Sequence, residues 1–111
     1  MPKQEIILKG IPASAGIAKG KARIILDPFD NSKMKKGDIL VTEMTNPLFL
    51  PAIQKAKAII TDVGGLLCHA AIVSRELGIP CVVGTKRATK ILKDNQKIKV
   101  DGEKGTIYQD N

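Results

Sequence analysis

Tryptophan is absent from this chain of 111 residues, tyrosine and histidine occur once each, and phenylalanine occurs twice. So few aromatics leave no stacking platform for nucleic-acid bases. The lysine excess behind the formal charge of +7 is spread along the chain, with no basic run longer than Lys35-Lys36. Nucleic acid is therefore not expected as a partner, whereas a lysine-rich surface suits solubility or an acidic partner. The two cysteines, Cys68 and Cys81, have no CxxC spacing. With one histidine and no acidic cluster beside it, the ligands for a metal site are too few, and no metal is expected. No apolar run has the length of a membrane span, and MPKQEIILKG lacks the apolar core of a signal peptide. A cytoplasmic protein without a membrane partner is expected. There is no P-loop pattern GxxxxGK[ST]; GIAKGK, residues 16–21, is a near miss that reads as a flexible loop. A chain this short holds one domain, residues 1–111, and has no room for separate nucleotide and substrate domains.

What is present is an Ile, Val, Leu and Ala core composition, 43% hydrophobic, typical of a compact α/β domain. The first segment shows two β-rich runs around a Gly/Pro/Ala/Ser stretch, Gly10 to Gly20, that reads as an irregular loop. A strand follows at Ile39 to Thr42. Thr45 or Asn46, followed by Pro47, reads as an N-cap opening a helix to about Lys55, with Pro51 blurring its start. Lys57 to Asp62 is a buried strand broken by Gly64-Gly65. AAIVSREL is a helix ended by Gly78 and Pro80, and Cys81-Val82-Val83 is the next strand. Strand, helix and strand in so short a span predict a central βαβ-like unit with parallel strands. A short helix at Ala88 to Lys93, a strand at Lys97 to Val100, a turn at Asp101-Gly102 and a strand at Thr106 to Tyr108 complete the chain.

The single histidine, His69, falls at the start of the AAIVSREL helix. There the free backbone N–H groups and the positive end of the helix dipole lie, and helical side chains lean toward that end. Gly64 and Gly65 remove side-chain bulk before it and allow the backbone to approach an anion. A neutral imidazole has a ring nitrogen free for nucleophilic attack, and phosphoryl transfer asks mainly for positioning and charge stabilisation. The arrangement suits a phosphoryl group on the histidine, although a core or capping role fits the spacing as well. A Cys68–His69 hydrolase pair is disfavoured, because adjacent helical residues point about 100° apart.

DVGGLLCHAAIVSRELGIPCVVGT closely resembles the phosphohistidine motif, roughly GG-x-T-[SC]-H-A-A-[IV]-x-[AS]-R-x-[LM]-G-I-P-x-V-V-G, of the phosphoenolpyruvate-utilising enzymes. These are phosphoenolpyruvate synthase (pyruvate, water dikinase), pyruvate phosphate dikinase and enzyme I of the sugar phosphotransferase system. GIPASAGIAKGKARII, GDILVTEMTNP and VDGEKGTIY are similar to further parts of the same domain, so the resemblance covers nearly the whole chain. It implies an α/β fold, a compact swivelling β/β/α phosphohistidine domain, and a phosphotransferase component incomplete without partner subunits. His69 is then the phosphorylated residue, Gly64, Gly65 and Cys68 form the phosphoryl-binding loop, and Thr45 matches a threonine facing the site, with helix capping its plainer role. Arg75 matches the motif arginine; it lies six residues past His69 on another helix face, where local pairing, a docking contact or a phosphate contact are all open. ATP, phosphoenolpyruvate and Mg are expected on partner ATP-grasp-type and pyruvate/phosphoenolpyruvate-binding subunits, with no cofactor held by this chain alone. The reaction implied is pyruvate/phosphoenolpyruvate interconversion. Leu67 departs from the motif, standing where the family has the hydroxyl residue that is the regulatory phosphorylation site of plant dikinases. The alternative is a non-catalytic module that docks on an acidic partner and holds a phosphate-bearing ligand.

Overall fold

The computed structural model describes residues 4–110, so the first three residues and the last of the expected domain lie outside the described residues. Eight strands form: β1 (Ile6–Lys9), β2 (Ile11–Ser14), β3 (Ile17–Ile24), β4 (Ile39–Thr42), β5 (Ala58–Thr61), β6 (Cys81–Val83), β7 (Lys97–Asp101) and β8 (Thr106–Gln109). Three short helices accompany them: α1 (Leu50–Ile53), α2 (His69–Leu77) and α3 (Ala88–Ile91). Hydrogen bonding orders the strands β1-β8-β7-β3-β4-β5-β6-β2.

Two strands divide their pairing. The first half of β3, Ile17 to Lys21, runs antiparallel to β7, and its second half, Ala22 to Ile24, runs parallel to β4. The β1–β2 run does the same, β1 bonding to β8 and β2 to β6. One sheet (β1, β8, β7 and the start of β3) thus folds over a second (the end of β3, β4, β5, β6 and β2), and the helices complete a β/β/α arrangement. Within the second sheet β4, β5 and β6 are parallel neighbours, and β5-α2-β6 is the expected βαβ unit.

Alternation along the central strands separates two cores. Ile39 and Val41, Ala58 and Ile60, and Val82 point between the sheets toward Ile98, Val100 and Ile107. Leu40, Ile59, Cys81 and Val83 point the other way, against Phe49, Ala52 and Ile53 of the α1 region and Ala70 and Ala71 of α2. Because both faces of β4, β5 and β6 are covered, every residue of ILVT, AIIT and CVV is buried, which is why these runs are β-rich and continuously apolar. Each buried Ile contributes about 2 kcal/mol relative to an exposed one. Among the described residues no helix is long and apolar enough to cross a membrane.

Two expectations fail. The Gly10 to Gly20 stretch is mostly strand, containing all of β2 and the first half of β3. Its small residues mark close approach between strands: a Cβ on Gly10 would stand 2.6 Å from the Val83 carbonyl oxygen and 2.8 Å from Val82 Cγ1. The helix expected to reach Lys55 is reduced to a 3₁₀ turn, Pro47–Phe49, and the four residues of α1. Pro47 and Pro51 each remove a backbone donor, and Ala56 and Lys57 turn directly into β5, so no longer ladder forms. Asn46 caps the turn, its Oδ1 accepting from Leu48 N at 2.9 Å, which leaves the Thr45 hydroxyl free for another role.

Replacing Gly10 with Ala forces a Cβ into that seam, an overpacking expected to cost about 2 kcal/mol or more. Thermal unfolding followed by circular dichroism should show a melting point lower by roughly 10 °C for Gly10→Ala. An equal melting point would mean that the seam has slack the packing does not show.

Candidate functional site

The site forms at the carboxyl ends of the parallel strands β4 and β5, where Met44-Thr45 and Val63-Gly64 leave the sheet and α2 begins. Gly64 has a left-handed φ of +129°, and a Cβ there would stand 2.9 Å from Cys68 Sγ, so the turn between β5 and α2 admits only glycine without distortion. Gly65 is different: a Cβ on it would meet nothing within 4 Å, and the space beside it is open. Cys68 is the N-cap residue of α2 and makes no side-chain capping bond. The first-turn amides of α2 are therefore left to solvent or an anion, with the positive end of the helix dipole behind them. At the other end Gly78, at φ +71°, caps the helix, with Ile79 N bonded to Ser74 O at 3.0 Å.

His69 is half-buried in the first turn of α2, with Thr45 Oγ1 2.8 Å from its Nδ1. In the Nδ1–H tautomer the ring donates to the threonine oxygen and its lone pair stays on Nε2. Thr45 is thus a positioning residue for the imidazole, while capping falls to Asn46. Arg75, on another face of α2, does not reach toward the ring. Its Nη1 donates to Ala13 O at 2.9 Å and its Nη2 to Leu66 O at 2.6 Å. It pairs locally, tying the Gly64–Cys68 loop to β2, and those two donors are occupied without an anion.

A cavity of about 280 Å³ opens beside the ring, lined by Met44, Thr45, Thr61, Val63, Gly64 and Cys68 together with His69 and Ala70. Among the described residues no lysine or arginine lines it. Large apolar side chains stand exposed on its wall and on the loop that leads into α2: Met44 is 56% accessible, Leu66 54% and Leu67 83%. The sequence flags Leu67 only as a missing hydroxyl; in the fold it projects into solvent just before the N-cap residue of α2. Met44, Thr61 and Val63, which line the cavity, were not legible as site residues, because they stand near His69 only through the pairing of β4 and β5. Among the described residues no three His, Cys, Asp or Glu side chains come together as a metal site.

The two cysteines differ. Burial pushes the Cys81 thiol up from 9.0 to about 11, against a smaller opposing effect of Ser74. Cys68 is only half-buried and lines the cavity. At pH 8 iodoacetamide should therefore alkylate Cys68 in the native protein and leave Cys81 unlabelled, read by peptide mass mapping; labelling of both at equal rates contradicts the packing. The same shift has a sign for stability. The proton is held more tightly in the folded state, so the contribution is complete below pH 9 and declines as pH rises toward 11. For the ring, ¹⁵N NMR of the imidazole should show the Nδ1–H tautomer predominating, and Thr45→Val should shift the population toward Nε2–H at an unchanged melting point. An unaltered tautomer ratio would remove Thr45 from the site.

Comparison with known proteins agrees with this geometry. The family model described as "PEP-utilising enzyme, mobile domain" matches residues 34–105. The chain is 59% identical over 105 residues to a probable phosphoenolpyruvate synthase of Archaeoglobus fulgidus, covering 95% of this chain and 14% of that protein. It is 58% identical over 105 residues to the phosphoenolpyruvate synthase of Pyrococcus furiosus, covering 95% of this chain and 13% of that one. It therefore spans about a seventh of the length of these relatives, whose remainder lies outside the match. A solution structure of Enzyme I superposes with a TM-score of 0.63 at 27% identity, covering 74% of this chain and 34% of that one. With the motif around His69, the β/β/α fold and these matches in agreement, the chain belongs to the mobile-domain family of the phosphoenolpyruvate-utilising enzymes.

Proposed function

We propose that the chain is a phosphocarrier and that Nε2 of His69 is the atom that carries the phosphoryl group. The observation behind this reading is the 2.8 Å contact between Thr45 Oγ1 and His69 Nδ1: with Nδ1–H donating to the threonine oxygen, the nucleophilic lone pair is on Nε2. In the charging step the Nε2 lone pair attacks phosphorus, an N–P bond forms, and the P–O bond to the donor's leaving oxygen breaks, with that oxygen keeping the electron pair. The discharging step reverses these roles with an acceptor oxygen. First-turn amides of α2 supply partial positive charge to the equatorial oxygens.

Among the described residues no lysine or arginine lines the cavity, so its wall supplies no full positive charge. Neutralisation of the transferring group thus belongs to whatever domain docks over the site and to the Mg that would be bound there alongside ATP or phosphoenolpyruvate. The exposed Met44, Leu66 and Leu67 suit that division: an apolar rim pressed against a partner excludes water from a bond prone to hydrolysis. Donor and acceptor domains of ATP-grasp and pyruvate/phosphoenolpyruvate-binding type, acting in pyruvate/phosphoenolpyruvate interconversion, are the partners this reading assigns. The similarity to phosphoenolpyruvate synthases supports the pyruvate/phosphoenolpyruvate side of this reading.

Phosphoramidate, which phosphorylates accessible imidazoles without an enzyme, tests the carrier directly. Intact mass measured under alkaline conditions should show one added phosphoryl group, absent from His69→Ala at an unchanged melting point, with ³¹P NMR placing it on Nε2. Thr45→Val should slow charging roughly fivefold to tenfold, the loss expected for one hydrogen bond of about 1 kcal/mol. No added mass on the wild type, or retention of the group in His69→Ala, overturns the proposal and favours a module that only binds.

A further inference from the structure

We infer that the end of the fold opposite His69 is a docking surface for an acidic polypeptide. The residues Lys35 to Asp38 lead into β4 and Lys57 leads into β5, whereas Thr45 and Gly64 follow those same strands at their far ends. Because β4 and β5 are parallel, the lysines and His69 occupy opposite ends of the sheet. Lys19 and Lys21 lie on β3 ahead of Ala22, the residue that pairs with Ile39 at the start of β4, and so join the same end.

These five lysines, which look scattered in the sequence, border one depression of about 380 Å³. Gly20 and Gly37 line it too and add no side chain to fill it. Arg23 and Asp38, 9% and 6% exposed, satisfy each other inside it: Arg23 Nε donates to Asp38 Oδ2 at 3.0 Å, and Lys35 N donates to the same oxygen at 3.0 Å. Arg23 Nη2 donates to Asn95 Oδ1 at 3.0 Å. The only carboxylate in the lining is thereby committed. Lys19 has a distant, exposed pairing with Asp110 at 4.0 Å, and Lys21, Lys35, Lys36 and Lys57 form no ion pair among the described residues.

Like charges held this close repel one another, and an acidic surface laid over them relieves that repulsion. The chemistry favours carboxylates over phosphates or bases. Arg23, the one guanidinium, has its Nε and Nη2 engaged, so the planar fork that grips phosphate is not on offer, and no aromatic side chain lines the depression for bases to stack on. What remains is a set of long, mobile ammonium groups, which suits a partner surface carrying several Asp and Glu. Occupying it leaves His69 uncovered. The inference does not depend on the phosphocarrier reading, and its outcome is separate from that of the phosphoramidate experiment.

Fluorescence anisotropy with a labelled oligoglutamate peptide at low ionic strength tests the surface. Binding should weaken steeply with salt and should fall at least about tenfold in K35E/K36E/K57E, with K35Q/K36Q/K57Q intermediate. Reversing three exposed lysines elsewhere, K9E/K90E/K104E, removes the same charge and should change affinity less than about threefold, and His69→Ala should bind as the wild type. Circular dichroism confirms that each variant is folded; should the reversal variant not fold, the glutamine variant alone carries the comparison. Equal losses in the two reversal sets, no salt-dependent binding, or tighter binding of inorganic polyphosphate or polyuridylate than of oligoglutamate would each overturn the inference.

Discussion

One residue, Gly10, separates two strands that stand at opposite ends of an eight-strand order, and that constraint shapes the fold. β1 and β2 cannot be far apart in space, so the sheet must fold over until its two ends meet along the β1–β2 run. Gly10 lies at a close approach, a Cβ there standing 2.6 Å from Val83 O, and its N–H bonds to Gly105 O at 2.8 Å. β3 makes the corresponding crossing on the other side, where its pairing changes from β7 to β4. With the sheets joined on both sides, the space between them is sealed by Ile, Val, Leu and Ala side chains, and one outer face is left for the helices.

The site inherits its rigidity from this closure. Arg75 ties the loop before His69 to Ala13, a residue of β2, so the loop is held by one of the strands that the closure brings into position. Thr45 leaves the end of β4 and holds the ring of a residue on α2. The imidazole is therefore set by two hydrogen-bonded links to different parts of the sheet, while the cavity in front of it stays apolar and uncharged. Positioning is intrinsic to the fold, and electrostatic compensation is not.

Sequence patterns revealed the central strands because β4, β5 and β6 are buried on both faces and read as β-rich apolar runs. They revealed His69, Gly64 and the helix from Ala70 to Leu77 through capping chemistry and the shared motif. They misread Gly10 to Gly20, since glycine, alanine and proline in series normally signal a turn, whereas here small side chains are what allow strands to approach across a seam. They overextended the helix after Pro47, because an apolar pattern persists through a segment whose two prolines and abrupt entry into β5 prevent regular bonding. Thr45 and Asn46 offered the same capping chemistry in neighbouring positions, and only the fold divides the roles between them. The apolar rim and the gathering of five lysines were illegible for a common reason: both join residues distant in sequence that only the pairing of β3, β4 and β5 brings together.

The pairing of β1 with β8 has a consequence for any longer polypeptide that contains this fold. Ile6 lies opposite Tyr108 in an antiparallel register, so the incoming and outgoing segments emerge side by side, about one strand spacing of ~5 Å apart. A host chain can therefore accept the whole unit as an insertion at a single point of its own backbone, with almost no gap to bridge. With entry and exit at one corner, the inserted body could turn about that corner as a unit without breaking a strand pairing.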